Sequence, residues 1–128
     1  MGKKILIVED DATISSMIAS LLKAVGYRVV NAYTAEQSLN ECRKDKPDIV
    51  LLDVVLPDVQ GNELFCQFES MRVPMVLTSV LPREMVVRIM GSSEFQFLPK
   101  PYDLNRLLLA VATPDPRAGS VRPAPGGS

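Results

Sequence analysis

The chain has 128 residues, of which 47% are hydrophobic, and its 14 Lys and Arg against 15 Asp and Glu give a formal net charge of −1. This length suits one domain with a single substantial core, and the hydrophobic content is too high for a disordered chain. The neutral balance without a dense basic run argues against direct nucleic-acid binding. No apolar run approaches the ~18 residues of a membrane span. We therefore expect a cytoplasmic protein with no membrane partner.

Short apolar runs alternate with longer amphipathic patterns along the chain. Five runs of strand length are mostly apolar on both faces, as expected of parallel strands covered by helices. They span residues 4–8, 28–32, 48–53, 74–79 and 95–98. Helical patterns follow each of them, at 12–25, from 34 to about 45, after Gly61, after Pro82 and from about 103 to 112.

This strict alternation predicts an α/β fold, a flavodoxin-like (βα)5 three-layer sandwich around a parallel five-stranded sheet. Right-handed crossovers in an open sheet favour the strand order 2-1-3-4-5. The composition changes after Thr113, because residues 114–128 hold four prolines and three glycines and almost nothing apolar. We expect one domain at residues 1–113, followed by a disordered tail or linker at 114–128.

Polar side chains follow four of the predicted strands at the point where each strand ends. Glu9 and Asp10 follow the first strand, Asp53 ends the third, Thr78 lies near the end of the fourth and Lys100 follows the fifth. Each alone has an ordinary structural explanation, since a strand-end Asp is commonly a helix cap and a Lys is commonly solvated. Because the carboxyl ends of parallel strands meet at one edge of the sheet, these five side chains are expected to share a pocket.

The charges in this predicted pocket need compensation. Two carboxylates about 4 Å apart repel by roughly 4 kcal/mol at an effective dielectric constant near 20. Lys100 supplies one positive charge, and Mg²⁺ suits an oxygen-lined site with room for phosphate and water. Between these cations, Asp53 can attack phosphorus and form an acyl phosphate, and the Thr78 hydroxyl can then donate to a new phosphoryl oxygen.

Four segments together resemble the receiver domains of two-component response regulators. They are residues 5–11, residues 46–57 with Gly61, residues 76–79 and residues 97–102. The resemblance extends over about residues 3–112 and fills all five signature positions. It implies that Asp53 is the phosphoacceptor of a phosphorylation-dependent signalling switch.

The same resemblance implies a set of Mg²⁺ ligands. Asp10 and Asp53 would bind the ion directly, the backbone carbonyl of Val55 would complete the protein's share, and Glu9 would act through a metal-bound water. Asp11, the third acid of the first cluster, is instead expected to start the first helix.

Further roles follow from the resemblance for residues around the phosphoacceptor. Lys100 would pair with Asp53 and later with the phosphoryl group, and its peptide bond to Pro101 is expected to be cis. Thr78 and Phe97 would form the switch pair, the ring turning inward as Thr78 moves toward the phosphate. The response is expected to remodel the fourth helix, fifth strand and fifth helix, a face through which a downstream protein or a second copy could bind.

The chain contains no histidine, so it cannot supply a phosphohistidine itself. The expected donor is a histidine kinase or a histidine phosphotransfer protein, or a small-molecule phosphodonor. Val55 and Val80 occupy positions that influence attack by water on the acyl phosphate, and two apolar residues there suggest slow self-dephosphorylation.

Two other functions fit parts of the pattern. A receiver-like interaction module that is never phosphorylated would keep the fold without using the pocket. A haloacid-dehalogenase-type phosphatase would also use a strand-end Asp nucleophile with Mg²⁺, but it needs a second Asp two residues later, where this chain has Val55. The pattern therefore favours a phosphoacceptor that is not a turnover enzyme.

Overall fold

The computed structural model describes residues 2–56, 58–59, 61–92 and 95–112. The predicted tail at 114–128, and the domain boundary at 113, lie outside the described residues. Within the described part, no helix is both long enough and apolar enough to cross a membrane.

Strands and helices alternate strictly along the chain, as predicted. The strands are β1 Lys4–Val8, β2 Arg28–Ala32, β3 Ile49–Asp53, β4 Met75–Ser79 and β5 Gln96–Pro99. The helices are α1 Ala12–Ala24, α2 Ala35–Lys44, α3 Gly61–Ser70, α4 Arg83–Met90 and α5 Leu104–Ala112.

The sheet has the order β2-β1-β3-β4-β5 with every pair parallel, which confirms the predicted flavodoxin-like architecture. Its register aligns the strand ends that carry polar residues. Val8 lies opposite Leu52, so Glu9 and Asp53 leave β1 and β3 at the same level. Asp53 lies opposite Thr78 on β4. The four polar strand ends therefore meet at one edge.

Two hydrophobic cores cover the two faces of the sheet, because alternate strand residues point to opposite sides. The α1–α5 core takes the odd-numbered residues Ile5 and Ile7 of β1 and packs them against α1 and α5. The α2–α3–α4 core takes Leu6 and Val8 and packs them against the other three helices. All five residues of β1, β3 and β4 are buried, which explains their continuous apolar runs.

The first helix has recognisable signals at both ends. The Asp11 side chain caps α1 by accepting hydrogen bonds from the backbone N–H groups of Thr13 at 2.9 Å and Ile14 at 3.1 Å. This confirms that Asp11 starts the helix. At the other end, Gly26 has a φ of 105°, a backbone conformation that residues other than glycine rarely adopt.

Candidate functional site

Three carboxylates meet at the carboxyl edge of the sheet. Glu9 and Asp10 follow β1, Asp53 ends the adjacent β3, and one oxygen of each lies within 4.8 Å of the others. Glu9 and Asp53 are buried, at 5% and 8% exposure, whereas Asp10 is exposed. Parallel pairing of β1 with β3 produces this cluster, as the strand-end pattern predicted.

Lys100 reaches the cluster from the end of β5. Its Nζ donates to Glu9 Oε1 at 2.8 Å and to Asp53 Oδ2 at 3.2 Å, and its side chain is 17% exposed. The backbone N–H of Lys100 donates to the Ser79 carbonyl at 2.9 Å, and the peptide bond to Pro101 is cis. The sequence predicted the contact with Asp53. It did not predict the shorter contact with Glu9.

The buried charges shift each other's protonation. Burial raises the pKa of the Glu9 carboxyl, the hydrogen bond from Lys100 opposes this, and the negative charge of Asp53 adds to the increase. Burial alone would lower the pKa of Lys100, but the hydrogen bond to Glu9 and the charges of Asp53 and Glu9 outweigh it, so the pKa is raised. Lys100 therefore stays protonated, and its single positive charge does not balance the negative charge of the three carboxylates.

The donor set fits a hard divalent cation. Three carboxylates and one ammonium leave an excess of two negative charges. One oxygen of each carboxylate lies within 4.8 Å of the others, so the three groups are close enough to act on one ion, directly or through a bound water. All the donors are oxygens, which suits Mg²⁺ better than a soft metal.

Both oxygens of Asp53 have partners that orient the carboxylate. Oδ2 accepts from Lys100, and Oδ1 accepts from the backbone N–H of Val55 at 3.1 Å. The preceding Val54 N–H donates to the Thr78 carbonyl at 3.0 Å, which ties the start of the β3–α3 loop to β4. Asp53 thus presents a fixed carboxylate at the floor of the cluster.

The two residues expected to form a switch pair have different surroundings. Thr78 is 2% exposed beside Asp53, and its hydroxyl makes no hydrogen bond to any residue in the described ranges. Phe97 lies opposite Leu77 and packs against the α2–α3–α4 core, with its ring centroid 6.4 Å from that of Phe95 at an interplanar angle of 75°. Thr78 therefore borders the acidic cluster directly, whereas Phe97 belongs to the aromatic packing beside it.

Two exposed valines lie just beyond the strand ends that carry Asp53 and Thr78, and together we call them the apolar rim. Val55, in the loop after β3, is 59% exposed, and Val80, directly after β4, is 76% exposed. Each follows a strand whose end carries a site residue, Asp53 or Thr78. No polar side chain is available at either position to orient a water molecule.

One residue that the sequence did not single out joins the site's loop to a neighbouring helix. Asp58 follows β3 by five positions, and its carboxylate accepts hydrogen bonds from the backbone N–H groups of Ala35 and Glu36 at the start of α2. Thr34 already caps α2, because its side chain accepts from the N–H of Gln37, so no second cap is expected from the sequence. The only available signal was an Asp between Pro57 and Gly61 in a loop.

Tyr102 lies two residues beyond Lys100 and packs, half-buried, against the α1–α5 core. Burial raises the pKa of its hydroxyl to about 12 from an ordinary value of 10.0. Between these two pH values the folded protein keeps a proton that the unfolded chain loses, so the stability of the fold falls as the pH rises.

We expect this effect to amount to about 1–2 kcal/mol, after discounting for the exposed part of the ring. The measurement is urea unfolding of the wild type and Tyr102→Phe at a series of pH values between 10 and 12. The free energy of unfolding of the wild type should fall more steeply than that of Tyr102→Phe. If the free energies of unfolding of the two proteins fell equally with pH, the raised pKa of Tyr102 would be contradicted.

Comparison with known proteins adds independent information. The sequence profile of the family described as response regulator receiver domain matches residues 5–112. The transcriptional regulatory protein PdtaR of Mycobacterium tuberculosis is 30% identical over 112 residues, covering 85% of this chain and 55% of PdtaR. Response regulator MprA of Mycolicibacterium vanbaalenii is 32% identical over 128 residues, covering 93% of this chain and 55% of MprA. The chain spans about half the length of these relatives.

Solved structures with the same architecture include two receiver domains. The BeF3-activated DrrB receiver domain superposes with a TM-score of 0.75 at 28% identity, covering 88% of this chain and 96% of that one. A CheY-like receiver domain protein from Methanospirillum hungatei gives a TM-score of 0.76 at 26% identity, with coverages of 88% and 92%. In both cases nearly the whole of the solved chain is matched.

Proposed function

Because this chain belongs to the response regulator receiver domain family, we propose that it is a phosphorylation-dependent signalling switch whose phosphoacceptor is Asp53. The observation that carries the proposal is the setting of this carboxylate. Asp53 is buried at a strand end, within reach of two further acids, and both of its oxygens accept hydrogen bonds. A purely structural acid has no need of that setting.

The chemical step is an in-line transfer to a carboxylate oxygen. An oxygen of Asp53 attacks the phosphorus, the bond from phosphorus to the donor's imidazole nitrogen breaks, and that nitrogen keeps the electron pair. Lys100 lies on one side of Asp53 and stabilises negative charge on the phosphoryl oxygens as they approach. The backbone N–H of Val55 holds the carboxylate in place during the attack.

Mg²⁺ completes the proposed site. Asp10, Asp53 and the backbone carbonyl of Val55 would hold the ion directly, and Glu9 would hold it through water. When bound, the ion neutralises phosphoryl charge and orients the incoming group. The Glu9 side chain also holds the Lys100 ammonium beside the cluster through their ion pair.

The phosphohistidine of the donor lies outside these 128 residues, because they contain no histidine. Receiver domains partner with histidine kinases or histidine phosphotransfer proteins, and we propose such a partner in the cytoplasm. A small-molecule acyl phosphate serves as donor in the test tube. The switch is not a turnover enzyme, since each chain accepts one phosphoryl group and then changes state.

We propose that the conformational response begins at Thr78. Its buried hydroxyl would donate to a phosphoryl oxygen on Asp53, the residue opposite it on β3. Movement of Thr78 would free space beside β4, into which Phe97 would turn from β5. The output surface is then the face formed by α4, β5 and α5, open to a downstream protein or a second copy.

Incubation with acetyl phosphate, with and without Mg²⁺, tests the function. We expect one phosphoryl group per chain by intact-protein mass spectrometry, and no uptake after chelation of the metal. A chain that takes up no phosphoryl group under these conditions would instead be an unphosphorylated interaction module. Steady release of phosphate from simple esters would indicate a phosphatase.

The apolar rim predicts a long-lived acyl phosphate. Because Val55 and Val80 cannot orient a water molecule for attack, we expect a half-life of minutes or longer at saturating Mg²⁺. The substitution Val80→Asn introduces a polar group at this position and should shorten that half-life several-fold. The measurement follows loss of the phosphoryl group by mass spectrometry after removal of the donor. A half-life of seconds in the wild type would contradict the expectation.

A further inference from the structure

Asp58 lies in the loop that follows the phosphoacceptor strand, yet its side chain contacts the start of a different helix. Its Oδ1 accepts a hydrogen bond from the backbone N–H of Ala35 at 2.9 Å, and its Oδ2 accepts one from Glu36 at 3.3 Å. The two contacts join the β3–α3 loop to α2 across 23 and 22 positions of sequence.

The contacts complete the first turn of α2. The first N–H groups of a helix have no acceptor within the helix. The Thr34 hydroxyl accepts from the N–H of Gln37 at 3.1 Å, and the N–H of Ser38 donates to the Thr34 carbonyl at 3.1 Å. Asp58 accepts from the two N–H groups that precede these, those of Ala35 and Glu36. The carboxylate is also favourably placed for the positive end of the helix dipole.

The same loop carries the carbonyl group that is proposed to bind the metal. Val55 is fixed at its own N–H by Asp53 Oδ1. The next residue, Leu56, is buried at 8% exposure against the α2–α3–α4 core. Only three peptide bonds (58 − 55) separate Val55 from Asp58. A bond from Asp58 to α2 therefore limits how far the Val55 carbonyl can move.

We infer that Asp58 is a positioning residue for the metal site, holding the β3–α3 loop against α2 so that the Val55 carbonyl stays within reach of the ion. The inference rests on the proposed function, since it assumes that Mg²⁺ binds at the acidic cluster. Asp58 bonds to α2 and not to a metal ligand, so it would act through the three peptide bonds that join it to Val55.

Two simpler explanations make different predictions. If Asp58 serves only to cap α2, then removing the other cap at the same helix end, Thr34, should lower Mg²⁺ affinity by the same amount. If Asp58 acts only through its negative charge, a neutral residue that keeps the hydrogen-bond acceptor should do no better than alanine. Three variants separate these explanations: Asp58→Ala, Asp58→Asn and Thr34→Ala.

The experiment measures Mg²⁺ affinity by isothermal titration calorimetry, with urea unfolding of each variant to show that it is folded. We expect Asp58→Ala to weaken Mg²⁺ binding by about tenfold, the low end for residues that support metal ligands. Asp58→Asn should recover part of this affinity, because its amide oxygen can still accept the shorter of the two hydrogen bonds, the one from the Ala35 N–H. Thr34→Ala should weaken the helix and leave Mg²⁺ affinity close to that of the wild type.

Equal losses of affinity in Asp58→Ala and Asp58→Asn would overturn the inference in favour of charge alone. Equal losses in Asp58→Ala and Thr34→Ala would overturn it in favour of helix capping. If Asp10→Asn and Asp53→Asn bound Mg²⁺ as tightly as the wild type, the proposed metal site itself would be refuted. That result is distinguishable from the other two, because it does not involve Asp58.

Amide hydrogen exchange provides a second readout. If the contact and the metal site are coupled, Mg²⁺ must strengthen the contact as much as the contact strengthens Mg²⁺ binding. Addition of Mg²⁺ should therefore slow exchange at Ala35 and Glu36 in the wild type. Gln37, which bonds to Thr34, should change less. Exchange at Ala35 and Glu36 that does not respond to Mg²⁺ would overturn the inference.

Discussion

Replacing Asp53 by Asn should abolish phosphoryl uptake, because the amide lacks the anionic oxygen that attacks phosphorus. The substitution keeps the size of the side chain and an oxygen for the Val55 N–H, so the β3–α3 loop should stay in place. The measurement is intact-protein mass spectrometry after incubation with acetyl phosphate and Mg²⁺. The wild type should gain one phosphoryl group and Asp53→Asn none.

The same substitution should also change stability. Asp53→Asn removes the repulsion between Asp53 and Glu9, while Lys100 keeps its shorter ion pair with Glu9 at 2.8 Å. Without Mg²⁺ the variant should therefore be more stable than the wild type, by about 1 kcal/mol. Mg²⁺ should stabilise the variant much less than the wild type, because a ligand has been lost. Urea unfolding with and without the ion measures both effects.

Asp103→Asn is the matched control for Asp53→Asn. The Asp103 carboxylate is exposed and accepts from the Arg106 N–H at 2.8 Å at the start of α5, a bond that Asn can also make. This control should take up phosphate like the wild type. Uptake by Asp53→Asn equal to that of Asp103→Asn would place the phosphoacceptor elsewhere.

The sequence predicted the sheet well because its strands are buried on both faces. The solid apolar run before Asp53 and the one before Glu9 can be satisfied only by helices above and below, which implies parallel strands. Once the strands are parallel, their carboxyl ends share an edge, and the acids that follow them must meet there. The composition of the cluster could therefore be predicted before any side chain was placed.

The partners within the cluster could not be predicted in the same way. Whether Lys100 contacts Asp53 alone or also Glu9 depends on the rotamers of the three side chains, which the sequence pattern does not report. The link from Asp58 to α2 is also invisible in the sequence, because it joins residues 22 and 23 positions apart through backbone N–H groups. Periodicity reports which face a residue occupies, not which donor its side chain finds.

Replacing Lys100 by Met should destabilise the fold by about 2–3 kcal/mol in the absence of Mg²⁺, because removing one partner of a buried ion pair leaves the other charges uncompensated. Methionine keeps much of the apolar stem of lysine, so the change acts mainly on charge. Glu9 and Asp53 would both lose their bond to the ammonium. Urea unfolding of the metal-free protein measures the loss.

Mg²⁺ should restore part of that stability, and this distinguishes a charge effect from a packing effect. The ion supplies the positive charge that Lys100→Met lacks, so saturating Mg²⁺ should stabilise the variant more than the wild type. Lys44→Met is the matched control, since Lys44 is exposed and pairs only with Glu41 at 3.3 Å among the described residues. It should change stability by less than about 0.5 kcal/mol. A Lys100→Met variant that is as stable as Lys44→Met would show that the ammonium does not offset the repulsion between the buried carboxylates.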